Sequence, residues 1–119
     1  MIPAASGLDE LRDALRRFAA DRDWDQFHSP KNLAMALSVE ASELLEHFQW
    51  LTETESNNIS SEARHAVGLE AADVLLYLIR LSDKLEINLI TAAQEKIRLN
   101  AEKYPAEKAR GSSKKYDEL

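Results

Sequence analysis

The chain has 119 residues, a formal net charge of −6 and no cysteine. That length means one domain, the acidic balance argues against a nucleic acid polymer as partner, and the missing cysteine excludes disulfides and thiolate metal sites, which suits a reducing cytoplasm. The longest apolar run, Val74 to Ile79, stops at Arg80, far short of the roughly 20 residues a membrane span needs, and an opening with Asp9 and Glu10 but no basic stretch ahead of an apolar one argues against a signal peptide.

Only three Gly and three Pro interrupt a chain rich in helix formers, and no internal repeat is visible. The expected class is all-α: a four-helix bundle small enough that oligomerisation completes its core. Ser6 and Asp9 read as a capping box, followed by Leu8, Leu11, Leu15 and Phe18 at helical spacing, which predicts a first helix over about residues 7–21. Periodicity then stops in residues 21–30, a polar stretch holding Trp24, Phe27 and His28. Aromatics there either anchor onto the bundle or form a platform for a planar ligand. Ser29 with Pro30 behind it is a start signal for a second helix, with Leu33, Leu37, Ala41, Leu44 and Phe48 as its stripe and Trp50 closing it.

Residues 51–61 read as a polar connection, long for a helical hairpin and a candidate lid. Ser60 or Ser61 caps a third helix reaching about Lys84, along which Val67, Ala71, Val74, Leu78, Leu81 and Leu85 recur. Leu75, Leu76 and Ile79 make it apolar nearly all round, the mark of a helix covered on several sides. Asn88 caps a fourth helix, with Leu89, Ala93 and Ile97 inward, ending before Pro105. The domain therefore spans residues 1–119, with a core over about 7–104. The flexible tail, 105–119, carries Lys108, Arg110, Lys114 and Lys115, charges suited to phosphate.

Two acidic pairs carry the chemistry: Glu40 with Glu43 on the second helix, and Glu70 with Asp73 on the third. Each pair is spaced i, i+3, one turn apart on one helix face, and Tyr77 continues the face of the second pair. One such pair alone is ordinarily a solvated surface. Two pairs on the two most apolar helices are not, because burying unpaired carboxylates is expensive. Converging carboxylates repel by on the order of 3 kcal/mol per pair at roughly 5 Å and an effective dielectric of about 20. A hard divalent cation relieves that repulsion, and oxygen ligands suit Mg²⁺ or Mn²⁺. The single E-x-x-H, Glu62 to His65, falls short of the two that a di-iron bundle requires. No P-loop or nucleophile elbow is present.

E-x-x-E, then residues 44–69, then E-x-x-D on two helices resembles the MazG-like all-α nucleotide pyrophosphohydrolases. Residues 18–28, His47 to Trp50 and Asp73 to Leu78 are similar to the dCTP pyrophosphatase branch, as are Lys96 to Pro105, Arg110 to Ser112, and Lys115 with Tyr116. The resemblance covers about residues 8–117. Val39 and Ser42 depart from it, standing where many members have Glu and Gly. The resemblance implies a Mg²⁺-dependent enzyme that cuts a nucleoside triphosphate to the monophosphate and pyrophosphate. It implies Glu40, Glu43, Glu70 and Asp73 as metal ligands, with Glu40 and Glu43 also catalytic. It implies Trp24, His28, Trp50 and Tyr77 at the nucleoside, and Lys96, Asn100, Lys103 and Tyr104 near phosphates or sugar. It also implies a homotetramer built as a pair of dimers. The expected activity is hydrolysis of dCTP or modified dCTP in nucleotide-pool sanitation. Alternatives are another selectivity (dUTP, dATP or phosphoribosyl-ATP) and a non-catalytic helical oligomer with a structural cation.

Overall fold

The computed structural model describes residues 7–119. They form helices and turns with no strand among the described residues, as the all-α expectation requires. Ser6, half of the expected capping box, lies outside them. The chain divides into two compact units, the first ending at Glu86 and the second running from Ile87 to Leu119.

In the first unit, α1 spans Leu8–Asp21, with Gly7 as an extended N-cap and Asp9 and Glu10 in the first turn, where the helix dipole favours acids. It ends where Trp24 N–H donates back to Ala19 O at 2.9 Å, helped by Asp23 at φ 54°, a left-handed conformation that Asp tolerates better than most residues. A short 3-10 turn, Asp25–Phe27, follows. Helix α2 spans Pro30–Glu46 and begins as the sequence indicates, with Ser29 Oγ accepting from Asn32 N–H at 3.1 Å and Pro30 in the first position.

Helix α2 stops at Glu46, short of Trp50. His47 N–H and Phe48 N–H turn to the carbonyls three residues back, Leu44 and Leu45, the tightening by which a helix end satisfies its last carbonyls. The connection beyond is not irregular. Thr52 and Glu55 form a reciprocal capping box, Glu55 N–H to Thr52 Oγ1 at 3.1 Å and Thr52 N–H to Glu55 Oε1 at 2.9 Å, which starts the one-turn helix α3, Glu53–Ser56. Helix α4 spans Ser61–Lys84 behind a Ser60 cap. It is the organising helix of this unit and packs against both α1 and α2.

Few apolar side chains of the described residues are fully covered: Ala14, Ala19, Leu33 and Ile79 form the buried core. Met35, Val39 and Leu45 on α2 and Leu69 and Leu75 on α4 remain exposed. The nearly all-round apolar character of α4 is therefore not used up by α1 and α2.

In the second unit, α5 spans Leu89–Lys103, capped by Asn88 as expected, and stops at Tyr104 before Pro105. Ala93 and Ile97, expected inward, are exposed. The stretch read as a tail holds a one-turn helix α6, Ala106–Ala109, and a 3-10 turn, Tyr116–Glu118. The Tyr116 ring meets Tyr104 edge-on at 6.2 Å.

Candidate functional site

The packing of α4 on α2 brings the acidic pairs together. One carboxylate oxygen from each of Glu40, Glu43 and Glu70 lies within 4.8 Å of the other two. All three residues are half-buried. Among the described residues this is the one group of three or more metal-competent side chains at such spacing. Glu62 and His65 are exposed and outside it.

The electrostatics register the crowding. Glu43, then Glu40, then burial push the Glu70 carboxyl from its ordinary 4.5 up to about 8. Glu70 pulls Glu40 down, yet burial and Glu43 outweigh it and leave Glu40 raised. Glu40 Oε2 is buried and has no hydrogen-bond partner. A buried carboxylate oxygen without a partner is costly unless a cation or proton meets it. Three hard oxygen donors, with a partnerless oxygen on one of the same carboxylates, fit a divalent metal such as Mg²⁺ or Mn²⁺.

Asp73, one turn on from Glu70, stands outside the three-oxygen group but acts on Glu40 as a like charge. It lines a cavity of about 370 Å³ between α1, the 3-10 turn and α4, a volume in the range of small-molecule sites. The walls are mostly apolar, with Leu11, Leu15, Phe18 and Leu76 among them, and Trp24, His28, Tyr77, Asp73 and Arg80 supply aromatic or polar groups. Trp24 stands edge-on between Phe18, at 5.7 Å, and His28, at 6.3 Å.

Behind the cavity runs an ion network that the sequence reading missed. Arg80, only 5% exposed, donates from Nε to His28 Nδ1 at 3.1 Å and from Nη2 to Asp25. Asp25 also accepts from Lys84 Nζ at 3.1 Å. Asp83 lies 3.7 Å from Arg80 Nη1 and accepts two hydrogen bonds from Arg16, at 2.7 and 2.5 Å. Lys84, then Arg80, hold Asp25 below the usual carboxylate range, and Arg16 does the same for Asp83. The available signal was Arg80 itself, a lone charge closing the most apolar run in the chain.

Of the residues expected at a nucleoside, Trp24, His28 and Tyr77 share the cavity, while Trp50, in the turn after α2, is 86% exposed and not part of its lining. Lys96, Asn100, Lys103 and Tyr104 belong to the second unit. There the Lys103 ammonium sits 5.2 Å from the centre of the Tyr116 ring, within cation–π reach.

Carboxylates converging from two helices beside an apolar cavity with a polar rim define a class: all-α proteins with an interhelical acidic centre suited to a divalent cation. Comparison with known proteins narrows it. The MazG-like family matches residues 35–119. The chain is 44% identical to human dCTP pyrophosphatase 1 over 114 residues, 94% of this chain and 67% of that protein. It is 40% identical to the mouse dCTP pyrophosphatase 1 over the same shares. A solved structure of a pyrophosphatase from Archaeoglobus fulgidus shares the fold with a TM-score of 0.78 and 44% identity, covering 82% of this chain and 92% of that one. The chain belongs to the MazG-like family.

Proposed function

We propose that this protein is a divalent-metal-dependent nucleotide pyrophosphohydrolase that converts dCTP, or modified dCTP, and water into dCMP and pyrophosphate. The observation that carries the reading is the convergence of Glu40, Glu43 and Glu70 next to a cavity whose lining includes Asp73, Trp24, His28 and Tyr77. Similarity to the mammalian dCTP pyrophosphatases supports the choice of nucleotide.

A net charge of −6 works against binding a polyanion unless the local sign is inverted. Mg²⁺ is the metal of choice; held by Glu40, Glu43 and Glu70, with Asp73 completing the set, it would neutralise phosphate charge and ease ionisation of a bound water. Glu40 and Glu43 are the candidate acid–base groups, since their oxygens share the centre with Glu70. Phe18 and Trp24 give the cavity aromatic faces, and stacking on such faces is worth roughly 1–3 kcal/mol per base. Closing a base against these walls excludes water and fixes the triphosphate relative to the acids, which is most of what phosphoryl-transfer catalysis requires. Lys96, Asn100, Lys103 and Tyr104 are assigned to phosphates or sugar by the family resemblance, and Trp50 to the nucleoside.

The exposed Val39, Leu69 and Leu75 support a homo-oligomer, with a tetramer of paired dimers as the family form. No described helix is long and apolar enough to cross a membrane, and the absence of cysteine fits a cytoplasmic role in cleaning the nucleotide pool. The test is incubation of the protein with each (d)NTP and Mg²⁺ and detection of pyrophosphate. Preferential release from dCTP is expected. Faster release from dUTP or dATP would reassign the selectivity, and no release from any nucleotide would sink the enzymatic reading.

A further inference from the structure

The Arg80–His28 contact fixes more than a ring angle. Arginine has only donors, so His28 Nδ1, accepting from Arg80 Nε at 3.1 Å, must carry a lone pair. The proton of the neutral ring is then on Nε2. No described residue accepts a hydrogen bond from that nitrogen, and His28 lines the cavity.

Arg80 cannot easily give way. It is almost fully buried, paired with Asp25 on one side and facing Asp83 on the other. Asp25 is shared with Lys84, and Asp83 is clamped by Arg16 from α1. Three elements thus hold one guanidinium against one imidazole. The charged neighbours of the ring are Arg80, Lys84 and Asp25, and Asp73 and Tyr77 also line the cavity. Burial first, and then the Arg80 charge, keep the His28 pKa below its ordinary value, in the direction of a neutral ring.

We propose that Arg80 is a positioning residue that locks His28 in its neutral Nε2–H form, so that the cavity offers one fixed hydrogen-bond donor to an acceptor on the bound nucleoside. A ring carbonyl or an imine nitrogen of a base has the required lone pair. The nucleoside half of this inference rests on the function proposed above; the tautomer half does not. A fixed donor discriminates sharply, because a ligand presenting a donor at that point leaves a buried N–H unpaired. A ring free to exchange tautomers would accept either.

The test has two arms. In the full-length wild-type protein without nucleotide, multiple-bond ¹H–¹⁵N NMR of His28 at neutral pH is expected to show a protonated Nε2 and an unprotonated Nδ1. An Nδ1–H tautomer, or an even mixture, overturns the lock without reference to any activity. In the second arm, Arg80→Met is made in the wild-type and His28→Leu backgrounds, since leucine has neither the acceptor that Arg80 engages nor the donor that the ligand would use. With His28 present, KM for the preferred nucleotide should rise about tenfold, the scale of one lost hydrogen bond, with kcat changed far less. In the His28→Leu background, Arg80→Met should add little, the non-additivity expected of residues acting in series. Equal effects in both backgrounds would mean that Arg80 acts on the ligand directly and would overturn the positioning role. If Arg80→Met does not fold, Arg80→Lys replaces it, and the wild-type NMR still decides the tautomer. A correct tautomer in a protein that hydrolyses no nucleotide would fault the proposed function, not the lock.

Discussion

Carboxylate oxygens of Glu40 and Glu70 come within 4.8 Å of each other across the contact between α2 and α4, with Glu43 in the same group. The proton that relieves this crowding sets a pH dependence. Glu70 is raised to about 8 from 4.5, so the folded state holds a proton that the unfolded state has released. The stabilisation is fully present below about 4.5 and is lost as pH rises through about 8. Glu40, also raised, acts in the same sense. His28, lowered, acts in the opposite sense and only near its own ordinary value. Metal-free thermal melts should therefore show Tm falling across the Glu70 window, and Glu70→Gln should flatten most of that slope. An unchanged slope in Glu70→Gln would remove Glu70 from the shared-proton cluster.

Metal binding should invert the trend. A cation and the Glu70 proton compete for the same oxygens, so Mg²⁺ affinity, read by calorimetry, should rise over the pH range in which metal-free stability falls. Saturating Mg²⁺ should then raise Tm more at the alkaline end than at the acid end. A pH-independent Mg²⁺ affinity would place the metal elsewhere.

Removing a single acid separates fold from function. Glu43→Gln and Glu70→Gln should each cut pyrophosphate release by on the order of 10³-fold or more, a loss of several kcal/mol of charge stabilisation. Far-ultraviolet circular dichroism should be unchanged, and the metal-free Tm should stay level or rise: Glu43→Gln takes a like charge from beside Glu40 and Glu70, and Glu70→Gln does so only above about pH 8, where Glu70 has lost its proton. Asp73→Asn belongs to the same series. Asp73 lies outside the three-oxygen group, so a loss of Mg²⁺ affinity in Asp73→Asn would add it to the ligand set, and full activity would exclude it.

The acidic pairs were legible because i, i+3 spacing on an apolar helix is a local pattern, and helix packing needs only to align two such faces. The caps Ser29, Ser60 and Asn88 were legible for the same reason. Two kinds of feature were not. Where α2 ends is decided by carbonyls of Leu44 and Leu45 taking three-residue bonds, which no side chain announces. The Thr52–Glu55 capping box is a local signal, but it lies in a polar stretch with no apolar stripe behind it to mark a helix. The Arg80 network joins Arg16, Asp25, His28 and Asp83 across three elements, and periodicity carries no information about such distant partners. Ile97 follows the helical stripe yet is exposed, because a stripe marks an apolar face without saying what covers it.

The two tryptophans should respond differently. Trp24 packs against Phe18 and His28 on the cavity wall, so Trp24→Ala should raise KM for dCTP and also cost part of the roughly 3–5 kcal/mol typical of a buried aromatic truncation. Trp50 is 86% exposed, so Trp50→Ala should alter the stability of the single chain by less than about 0.5 kcal/mol. Tryptophan fluorescence during dCTP titration in Ca²⁺ reads the same question. Quenching in wild type that is lost in Trp24→Ala is expected, whereas an unchanged wild-type spectrum at saturation would count against stacking on either ring.

Assembly is the remaining test, and its logic lies next to the acids. Val39 and Leu69 are both exposed, and each immediately precedes an acid of the cluster, Glu40 and Glu70. Apolar side chains of this size, exposed on two helices that pack together, offer a surface that a second copy of the chain would cover. Covering them would also stiffen the two helix segments that hold the cluster. Light scattering at micromolar concentration should give a dimer or a tetramer. Leu69→Asp should shift it toward smaller species with helicity retained, because the charge falls on a side chain that the single chain leaves in water. If assembly braces the acids, the same variant should bind Mg²⁺ more weakly, although Leu69 offers the metal no ligand atom. A wild-type monomer with full Mg²⁺ affinity would show that α2 and α4 hold the site unaided.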